Sequence, residues 1–392
     1  MQRFAAVFAA QPIASSFYFI LMAGIAGVAL IEILRGRGER AFWCVVAVIL
    51  INLAIGFGED IDHHVYRVTA LTAQLKAGQP SLLLTNPATG ETLPTFVYYS
   101  FVPYLPSVAL NFLGVPAHAA FKIVMGLELM VMAFGLRRLV EEVWPRPSPR
   151  HAHYLIAVLF LCANYVYAVW LQRMAFAEIW VYCLIPWVVV SLMRPNAPLP
   201  LIALLFLQIA GHPIVFAQAF FCAVLVAWGL STEPLPANAR RWALATLIAL
   251  ALASPFWLPQ LIWQGLILGP AGLPVRFADT FLSPADLIDR RLMHGIGFGL
   301  PLALGLMIVF ARARMSLRAW LLVAAFVATL AIQTVALRPV AERLPLLSTS
   351  LFVWRLMFIA AVLGLGALWA GWRSERGRDR LLASVTLLSL LS

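Results

Sequence analysis

The stretch Gly58–Arg67 carries a dense group of side chains that could perform acid–base or binding chemistry. Its ten positions hold three acids, two histidines and an arginine, directly after the apolar run Phe42–Phe57. A membrane protein that places so many ionisable groups at the end of a spanning segment usually has a functional use for them. The alternative is a solvated polar loop, but this stretch leads into a patterned helix and not into a linker.

Asp60 is the candidate general base of this stretch. It follows a predicted span, so it meets water close to the membrane boundary, where partial loss of hydration raises a carboxylate pKa towards a useful value. Glu59 and His63 stand beside it as candidates for acceptor binding or for support of the base. Asp62 has two interpretations: it is a second acid of the site, or it is the N-cap of the helix that follows.

His64 and Arg67 lie three positions apart, so they share one face of a helix. Together they could bind a phosphate or a sugar; otherwise they are two solvated polar positions. Asp60, Asp62 and His64 could instead ligate a divalent cation. Because that spacing is not diagnostic, we expect no cofactor and keep a divalent cation as the alternative.

The composition is that of a membrane protein. Of the 392 residues 62% are apolar and 11% are charged, whereas a soluble protein has roughly 25% charged residues. No polar run reaches the ~50 residues of a small soluble domain, so we predict a single transmembrane domain over residues 1–392. The net charge of +11 is explained by arginine loops that face the cytoplasm. We therefore expect membrane lipids as partners and no nucleic acid.

Alternating apolar runs and arginine loops predict an all-α polytopic protein with about twelve spans of roughly twenty residues or fewer. The predicted spans are Ser15–Leu34, Ala41–Phe57, Ala117–Leu136, Tyr154–Trp170, Ile179–Met193, Leu199–Ala210, Ile214–Leu230, Ala243–Leu258, Ile296–Phe310, Trp320–Ala336, Phe352–Trp372 and Leu381–Ser392. The last run is still apolar at its end, which predicts a chain truncated there.

The arginine loops also fix the predicted orientation. Arg35–Arg40 lies inside, so residues 58–113 and 259–294 form two extracytoplasmic loops. In the first loop, Phe96–Leu113 contains two prolines and is predicted to lie in the interface, since a span there would place later arginines outside. The loop also has an amphipathic helix, whose apolar face is formed by Val65, Val68, Leu71 and Leu75.

Four further residues of the outer side could bind a substrate. Arg173 and Glu178 are five apart, poor spacing for a helical pair, so we expect them to act on different partners. His212 lies at a turn between two spans and is either a site residue or a structural one. Arg355, at the outer mouth of a span, could hold a phosphate in a fork of hydrogen bonds; the alternative is that it snorkels to lipid head groups.

Motifs in a fixed order run from about Gly58 to Trp372. They are Asp60-x-x-x-His64-x-x-Arg67, then Leu71, Leu75, Gly78 and Tyr98-Tyr99 to Pro103, Arg173-x-Ala175-x-Ala177-Glu178, His212, Pro255-Phe-Trp257-Leu-Pro259, Leu344-Pro-Leu-Leu347 and Trp354-Arg355. Together these motifs resemble bacterial membrane glycosyltransferases of the GT-C class, in particular the YfhO-like and "6-pyruvoyl-tetrahydropterin synthase-related" membrane proteins. His63 departs from the family, which often has an aromatic residue there.

The resemblance implies a GT-C-like enzyme of the bacterial inner membrane with its active site on the extracytoplasmic face. It implies an inverting transfer of a sugar from a polyprenyl-phosphate donor to a cell-envelope glycan or lipid acceptor, with Asp60 as the base. An inverting reaction also needs positive charge for the departing phosphate. The candidates for that task are Arg173, Arg338, Arg343 and Arg355.

Two alternatives remain at this point. A transporter or flippase of a lipid-linked glycan would place polar groups along a path through the membrane, often in broken helices. In this sequence the midplane charges are scarce apart from Lys122 and Glu128, which favours the enzyme. A scaffold subunit without catalytic activity is the other alternative.

Overall fold

The computed structural model describes residues 12–56, 58–85, 92–93, 95–98, 100–144, 150–194, 198–231, 235–267, 280–289, 295–344, 353–372 and 376–391. Helices dominate these ranges, so the prediction of an all-α membrane protein is confirmed at that level. The exception is a short ribbon in which β1 (Leu84–Thr85) pairs antiparallel with β2 (Thr92–Leu93).

The helices follow one another with few long connections inside the described ranges. They are α1 (Pro12–Leu34), α2 (Gly38–Ile55), α3 (Ile61–Lys76), α4 (Thr95–Tyr98), α5 (Leu105–Phe112), α6 (Ala117–Val143), α7 (His151–Leu161), α8 (Asn164–Ala168), α9 (Phe176–Met193), α10 (Pro198–Gly211), α11 (Pro213–Leu230), α12 (Leu235–Leu252), α13 (Ser254–Ile267), α14 (Gly299–Ala311), α15 (Leu317–Ala331), α16 (Arg338–Ala341), α17 (Leu356–Gly371) and α18 (Arg376–Leu391).

Five helices of the described chain are long and apolar enough to cross a membrane, or up to seven if each of two bent pairs counts as one span. They are α2, α6, α9, α11 and α17 with its preceding turn. The predicted number of about twelve is not confirmed. Several predicted spans are shorter helices, such as α14 with 13 residues and α10 with 14, whereas a bilayer requires about 20 residues.

Two predicted spans are broken inside the apolar sequence. The span predicted at Tyr154–Trp170 consists of α7 and a segment from Asn164 to Arg173, bent by 59°. The span predicted at Ala243–Leu258 bends by 73° between α12 and α13, where Pro255 in the first turn of α13 cannot donate to a continuing helix. Because α13 runs to Ile267, the predicted outer loop 259–294 begins inside a helix. Its residues 268–279 and 290–294 lie outside the described chain.

The first predicted loop is mostly helical. The amphipathic helix is confirmed as α3, which buries Val68 and Leu71 against its neighbours, although Leu75 is exposed. The segment predicted to be interfacial forms only short helices, of which α5 has eight residues. This loop therefore forms a cap of short helices that contacts α6.

The centre of the bundle is formed by α9 and α17. Within their spanning windows 78% and 89% of the residues are buried, so both helices are apolar on every side. Tyr182 on α9 stacks on Phe358 of α17, with ring centroids 3.8 Å apart and planes 4° apart. This contact lies near the start of each helix and holds the two helix starts side by side.

Candidate functional site

Three spanning helices begin close to one another at the same end of the bundle. α9 packs along α11, and α11 packs along α17; their N-terminal flanking residues are Ala175, His212 and Arg355. The N-terminus of a helix carries a partial positive charge and unpaired N–H groups. Three such ends together favour a negatively charged group at this place.

A buried ion-pair cluster occupies this place. Glu178, in the first turn of α9, is fully buried. Arg173 approaches both of its carboxyl oxygens at 3.2 Å, and the Nε of Arg355 donates to Glu178 Oε1 at 2.9 Å. Arg173 also donates to the hydroxyl of Tyr165 at 3.0 Å. Two guanidinium groups therefore share one buried carboxylate.

The backbone explains how Arg173 and Glu178 meet. Arg173 ends a π-helical turn, Val169–Arg173, and Met174 then adopts the left-handed conformation with φ 54° and ψ 48°. This conformation is costly for a residue other than glycine and is often found at functional sites. The prediction that Arg173 and Glu178 act on different partners is wrong, because it assumed that the helix continues between them.

Asp60 lies at the edge of this cluster, with its Oδ2 3.8 Å from the Nη2 of Arg173 and 39% of its side chain exposed. The backbone holds it there: Glu59 and Asp60 donate their N–H groups to the carbonyls of Gln172 and Arg173. Burial raises the pKa of Asp60, and Arg173 opposes that effect. Asp60 is thus a partly hydrated carboxylate beside a buried cation.

Gly58 allows this close approach. A Cβ at this position would come within 2.5 Å of Met174 Cγ, so the backbone packs directly on the methionine side chain. The N–H of Gly58 donates to Met174 Sδ at 3.3 Å. A larger residue would push the Glu59–Asp60 backbone away from Arg173.

His64 and Arg67 share a helix face as predicted, and both contact Tyr104. The Tyr104 hydroxyl is 2.6 Å from His64 Nδ1 and accepts from Arg67 at 2.9 Å. Burial, with a smaller contribution from Arg67, lowers the pKa of His64 well below its ordinary value. His64 and the Tyr104 hydroxyl therefore share a buried hydrogen bond, and the His64 ring stacks on Phe121. This arrangement fixes α3 against the bundle next to Asp60.

Glu59, Asp62 and His63 are exposed on the first turn of α3 or just before it. The interpretation of Asp62 as the N-cap is wrong, because α3 begins at Ile61 and already contains Asp62. Asp60 occupies the N-cap position and forms no side-chain capping bond.

The candidate metal ligands are not gathered into one site. Asp60 faces Arg173, His64 faces Tyr104 and Asp62 is exposed. Among the residues that the structure describes, no group of three or more His, Cys, Asp and Glu side chains could hold a metal ion.

His212 lies between α10 and α11 and is partly buried. Burial and the nearby Arg355 lower the pKa of His212 to about 3, against the opposite effect of Glu178. The Ser100 hydroxyl donates to the carbonyl of Ala210, so the first predicted loop also reaches this turn. The structure thus brings His212 to the cluster as a neutral side chain.

Arg338 and Arg343 lie outside the buried cluster. Both are exposed, and Arg338 donates to Glu342 at 2.7 Å on the surface. Of the four arginines that were candidates for phosphate binding, the structure joins Arg173 and Arg355. Tyr104 and Tyr165 were not among the predicted site residues, yet their hydroxyls accept hydrogen bonds from Arg67 and Arg173. Tyr104, between Pro103 and Pro106, was visible only as part of an aromatic segment.

The site combines two buried guanidinium groups, one fully buried carboxylate and one partly hydrated carboxylate. An anion could approach the positive charge of Arg173 and Arg355, while Asp60 accepts a proton beside it. The resemblance to GT-C glycosyltransferases stays a prediction from the motifs. No protein family, curated protein or solved structure matches this chain.

Proposed function

We propose that the protein is an extracytoplasmic inverting glycosyltransferase, which moves a sugar from a polyprenyl-phosphate donor to a cell-envelope glycan or lipid. The observation that carries this proposal is the position of Asp60, 3.8 Å from an arginine of the buried cluster at the start of the spanning helices. A proton acceptor and a site for a phosphate thus lie side by side.

The donor phosphate binds at the positive charge of Arg173 and Arg355. Glu178 fixes the orientation of both guanidinium groups, so little reorganisation is needed when negative charge develops. The helix N-termini at Phe176 and Leu356 add to this potential. The lipid chain of such a donor remains in the bilayer next to the bundle.

The proposed reaction is a single displacement at the anomeric carbon of the sugar. Asp60 takes the proton from the acceptor hydroxyl, and the oxygen forms a bond to that carbon on the face opposite the phosphate. The carbon–oxygen bond to the phosphate breaks, and its electron pair leaves with polyprenyl phosphate. Arg173 and Arg355 stabilise that charge, and the configuration at the carbon is inverted.

The arginine distribution supports an orientation. Arg312 and Arg314 directly follow α14, and Arg318 donates to the carbonyls of Trp228 and Ser231 at the end of α11, opposite the end that carries His212. Arginines at such helix ends are typical of cytoplasmic loops. We therefore propose that Asp60 lies on the extracytoplasmic side. The resemblance to bacterial GT-C glycosyltransferases supports the bacterial inner membrane as the location.

The test is transfer by purified protein in lipid nanodiscs. A panel of polyprenyl-phosphate sugars is supplied, and the release of polyprenyl phosphate is measured for the wild type and for Asp60→Asn. We expect release with at least one donor and its loss in the variant. Release that is equal in both would refute the role of Asp60 and the proposed mechanism.

The two bent spans favour a second candidate, a transporter or flippase of a lipid-linked glycan, since transporters bind substrates at broken helices. The bend at Ala163 places Asn164 and Arg173 on one broken span. A flippase would move a fluorescent lipid-linked glycan between the leaflets of proteoliposomes without release of polyprenyl phosphate. Binding without either activity would indicate a scaffold subunit.

A further inference from the structure

A cavity of about 710 Å³ lies beside the ion-pair cluster and is not used by the proposed donor site. Its walls come from α1, α2, α18 and the broken span α7–α8. The volume is in the range of small-molecule sites, roughly 300–1,000 Å³. Most of the lining is apolar, with small residues of α1 such as Ala23, Ala26 and Gly27 on one side.

The polar residues of the cavity are uncharged. They include Asn52 on α2 and Asn164, Tyr167 and Gln172 on the broken span, and no charged side chain of the described chain contributes to the lining. Amide and phenol groups donate and accept hydrogen bonds without charge, as the hydroxyls of a sugar or of glycerol require. A phosphate placed here would lie against a mostly apolar lining without a cationic side chain, which is unfavourable for a charged group.

The polar part of the cavity adjoins the proposed catalytic site. Gln172 directly precedes Arg173, and its backbone carbonyl accepts the N–H of Glu59. Asn52 lies near the end of α2, and its backbone carbonyl accepts the N–H of Gly56 just before the Glu59–Asp60 segment. A head group at this end of the cavity is thus close in the fold to Asp60.

We propose that the cavity binds an uncharged lipid with a hydroxylated head group, and that this lipid is the sugar acceptor. Its alkyl chain lies along the small residues of α1, and its head group is bound by Asn52, Asn164 and Tyr167. The acceptor role rests on the proposed function, whereas the lipid binding does not. In this proposal the cavity binds the neutral lipid, and the arginine cluster binds the anionic donor lipid.

Lipid binding is tested by native mass spectrometry of the full chain. The probes are monoglucosyl dioleoylglycerol and, as the anionic competitor, dioleoyl-phosphatidylglycerol. Ala26→Trp fills the cavity from α1, and Val28→Trp is its matched control, because Val28 is exposed on the same helix and does not line the cavity. Asn52→Leu removes a polar group of the lining.

We expect selective binding of the neutral lipid by the wild type and by Val28→Trp, and at least ~10-fold weaker binding by Ala26→Trp. Asn52→Leu should weaken binding about five-fold, as expected for one hydrogen bond. Thermal unfolding of each variant checks that it folds. Equal binding of both lipids, or an unchanged affinity in Ala26→Trp, overturns the proposal.

The acceptor role needs a second measurement. Sugar transfer to the neutral lipid should be lost in both Ala26→Trp and Asp60→Asn, with donor binding retained in both variants. If Ala26→Trp transfers sugar to a soluble glycan as fast as the wild type does, the lipid of the cavity is not the acceptor, and the glycosyltransferase proposal stands. The opposite outcome is also distinguishable. If the wild type binds the neutral lipid, Ala26→Trp does not, and no donor supports transfer, the proposed function is refuted and the lipid site stands.

Discussion

Arg355 and Glu178 are 177 positions apart in the chain, yet they form a buried ion pair with a nitrogen–oxygen distance of 2.9 Å. Each lies at the start of a central spanning helix, α17 or α9, so this ion pair joins the two helix starts, as the stack of Tyr182 on Phe358 also does. The position of Asp60 depends on the same pair through Arg173. The predictions below separate the roles of these groups.

Asp60→Asn should lower turnover by ~10²–10⁴-fold, because the amide keeps the size of the side chain and loses its basicity. Donor affinity should be retained, since Arg173 and Arg355 are unchanged. The measurement is the release of polyprenyl phosphate under single-turnover conditions. The matched control is Asp62→Asn, which changes an exposed carboxylate and should have little effect. If Asp62→Asn loses turnover and Asp60→Asn does not, Asp62 is the base.

The pH–rate profile gives an independent check on Asp60. Because burial raises its pKa, the activity should fall on the acid side with a midpoint above the ordinary range of an aspartate. A profile that remains flat down to pH 4 would remove Asp60 from the rate-limiting step.

Arg355→Met should lower the stability of the fold, apart from any effect on donor binding. Removal of Arg355 takes away one of the two guanidinium partners of the fully buried Glu178, which keeps Arg173. The cost should therefore fall below the ~3–5 kcal/mol of a buried charge left with no partner. In a double-mutant cycle, Arg355→Met should cost less stability in the Glu178→Met background than in the wild type, because the ion pair that it removes is already absent there. Denaturant unfolding in detergent measures this difference. Additive losses of stability would show that the two residues are not coupled.

Arg355→Lys tests the donor site while keeping the charge. A lysine keeps the positive charge but cannot form the two parallel hydrogen bonds of a guanidinium group. The apparent KM for the donor should therefore rise. Arg338→Lys is the matched control on the exposed surface and should change nothing. Equal donor kinetics in both variants would place the phosphate elsewhere.

The protein should lose stability as the pH falls below about 6.5. Unfolded His64 and His212 bind a proton near that value, whereas in the folded chain burial holds both pKa values lower. Below pH 6.5 the unfolded chain therefore binds more protons, so stability falls with pH by at most ~1.4 kcal/mol per pH unit for each histidine. Thermal unfolding between pH 7.5 and 5 measures the slope. His64→Gln should reduce it, and the exposed control His63→Gln should not.

Glu128 should destabilise the folded protein. It is buried in α6, and neither carboxyl oxygen has a hydrogen-bond partner among the described residues. Glu128→Met keeps the length of the side chain and removes the unsatisfied oxygens, so it should raise the free energy of unfolding by ~1–3 kcal/mol. The control Glu142→Met should have the opposite sign, because Glu142 accepts from Arg194 at 2.6 Å. A stable Glu128→Met protein without activity would instead assign Glu128 a functional role.

The orientation is tested by cysteine labelling in a variant without Cys44, Cys162, Cys183 and Cys222. An impermeant maleimide added from outside should label Asp62→Cys and spare Arg312→Cys, two exposed positions. The reverse pattern would place the candidate site in the cytoplasm, where a polyprenyl-phosphate donor is no longer required.

The local patterns of the sequence predict the elements better than their ends. Helix α3 and the short helices near Pro103 follow from apolar periodicity and from proline chemistry, and both are found. The number of spans cannot be predicted from the sequence in this way. Hydropathy does not distinguish a straight span from a bent one such as α7 and α8, which meet at Ala163. Long apolar helices such as α9 and α17 are the easiest to recognise.

The members of the site could be predicted from the sequence, but their contacts could not. Asp60, Glu178 and Arg355 are recognisable as polar residues at the ends of apolar runs, since a membrane protein has few other places for them. Their pairing depends on the left-handed turn at Met174, which no propensity predicts for a methionine. It also depends on two helix starts that are separated by much of the chain.

The bend at Ala163 also affects how the chain enters the membrane during synthesis. Helix α7 has only 11 residues, so it has to insert together with the segment that ends in Arg173. Glu178 leaves the ribosome five residues later and can neutralise that arginine at once, which lowers the cost of burying either charge. Arg355 arrives much later and brings the second positive charge. We therefore expect that nascent chains ending before Arg355 already insert the broken span α7–α8 together with α9. Glu178→Gln chains of the same length should fail to insert this pair.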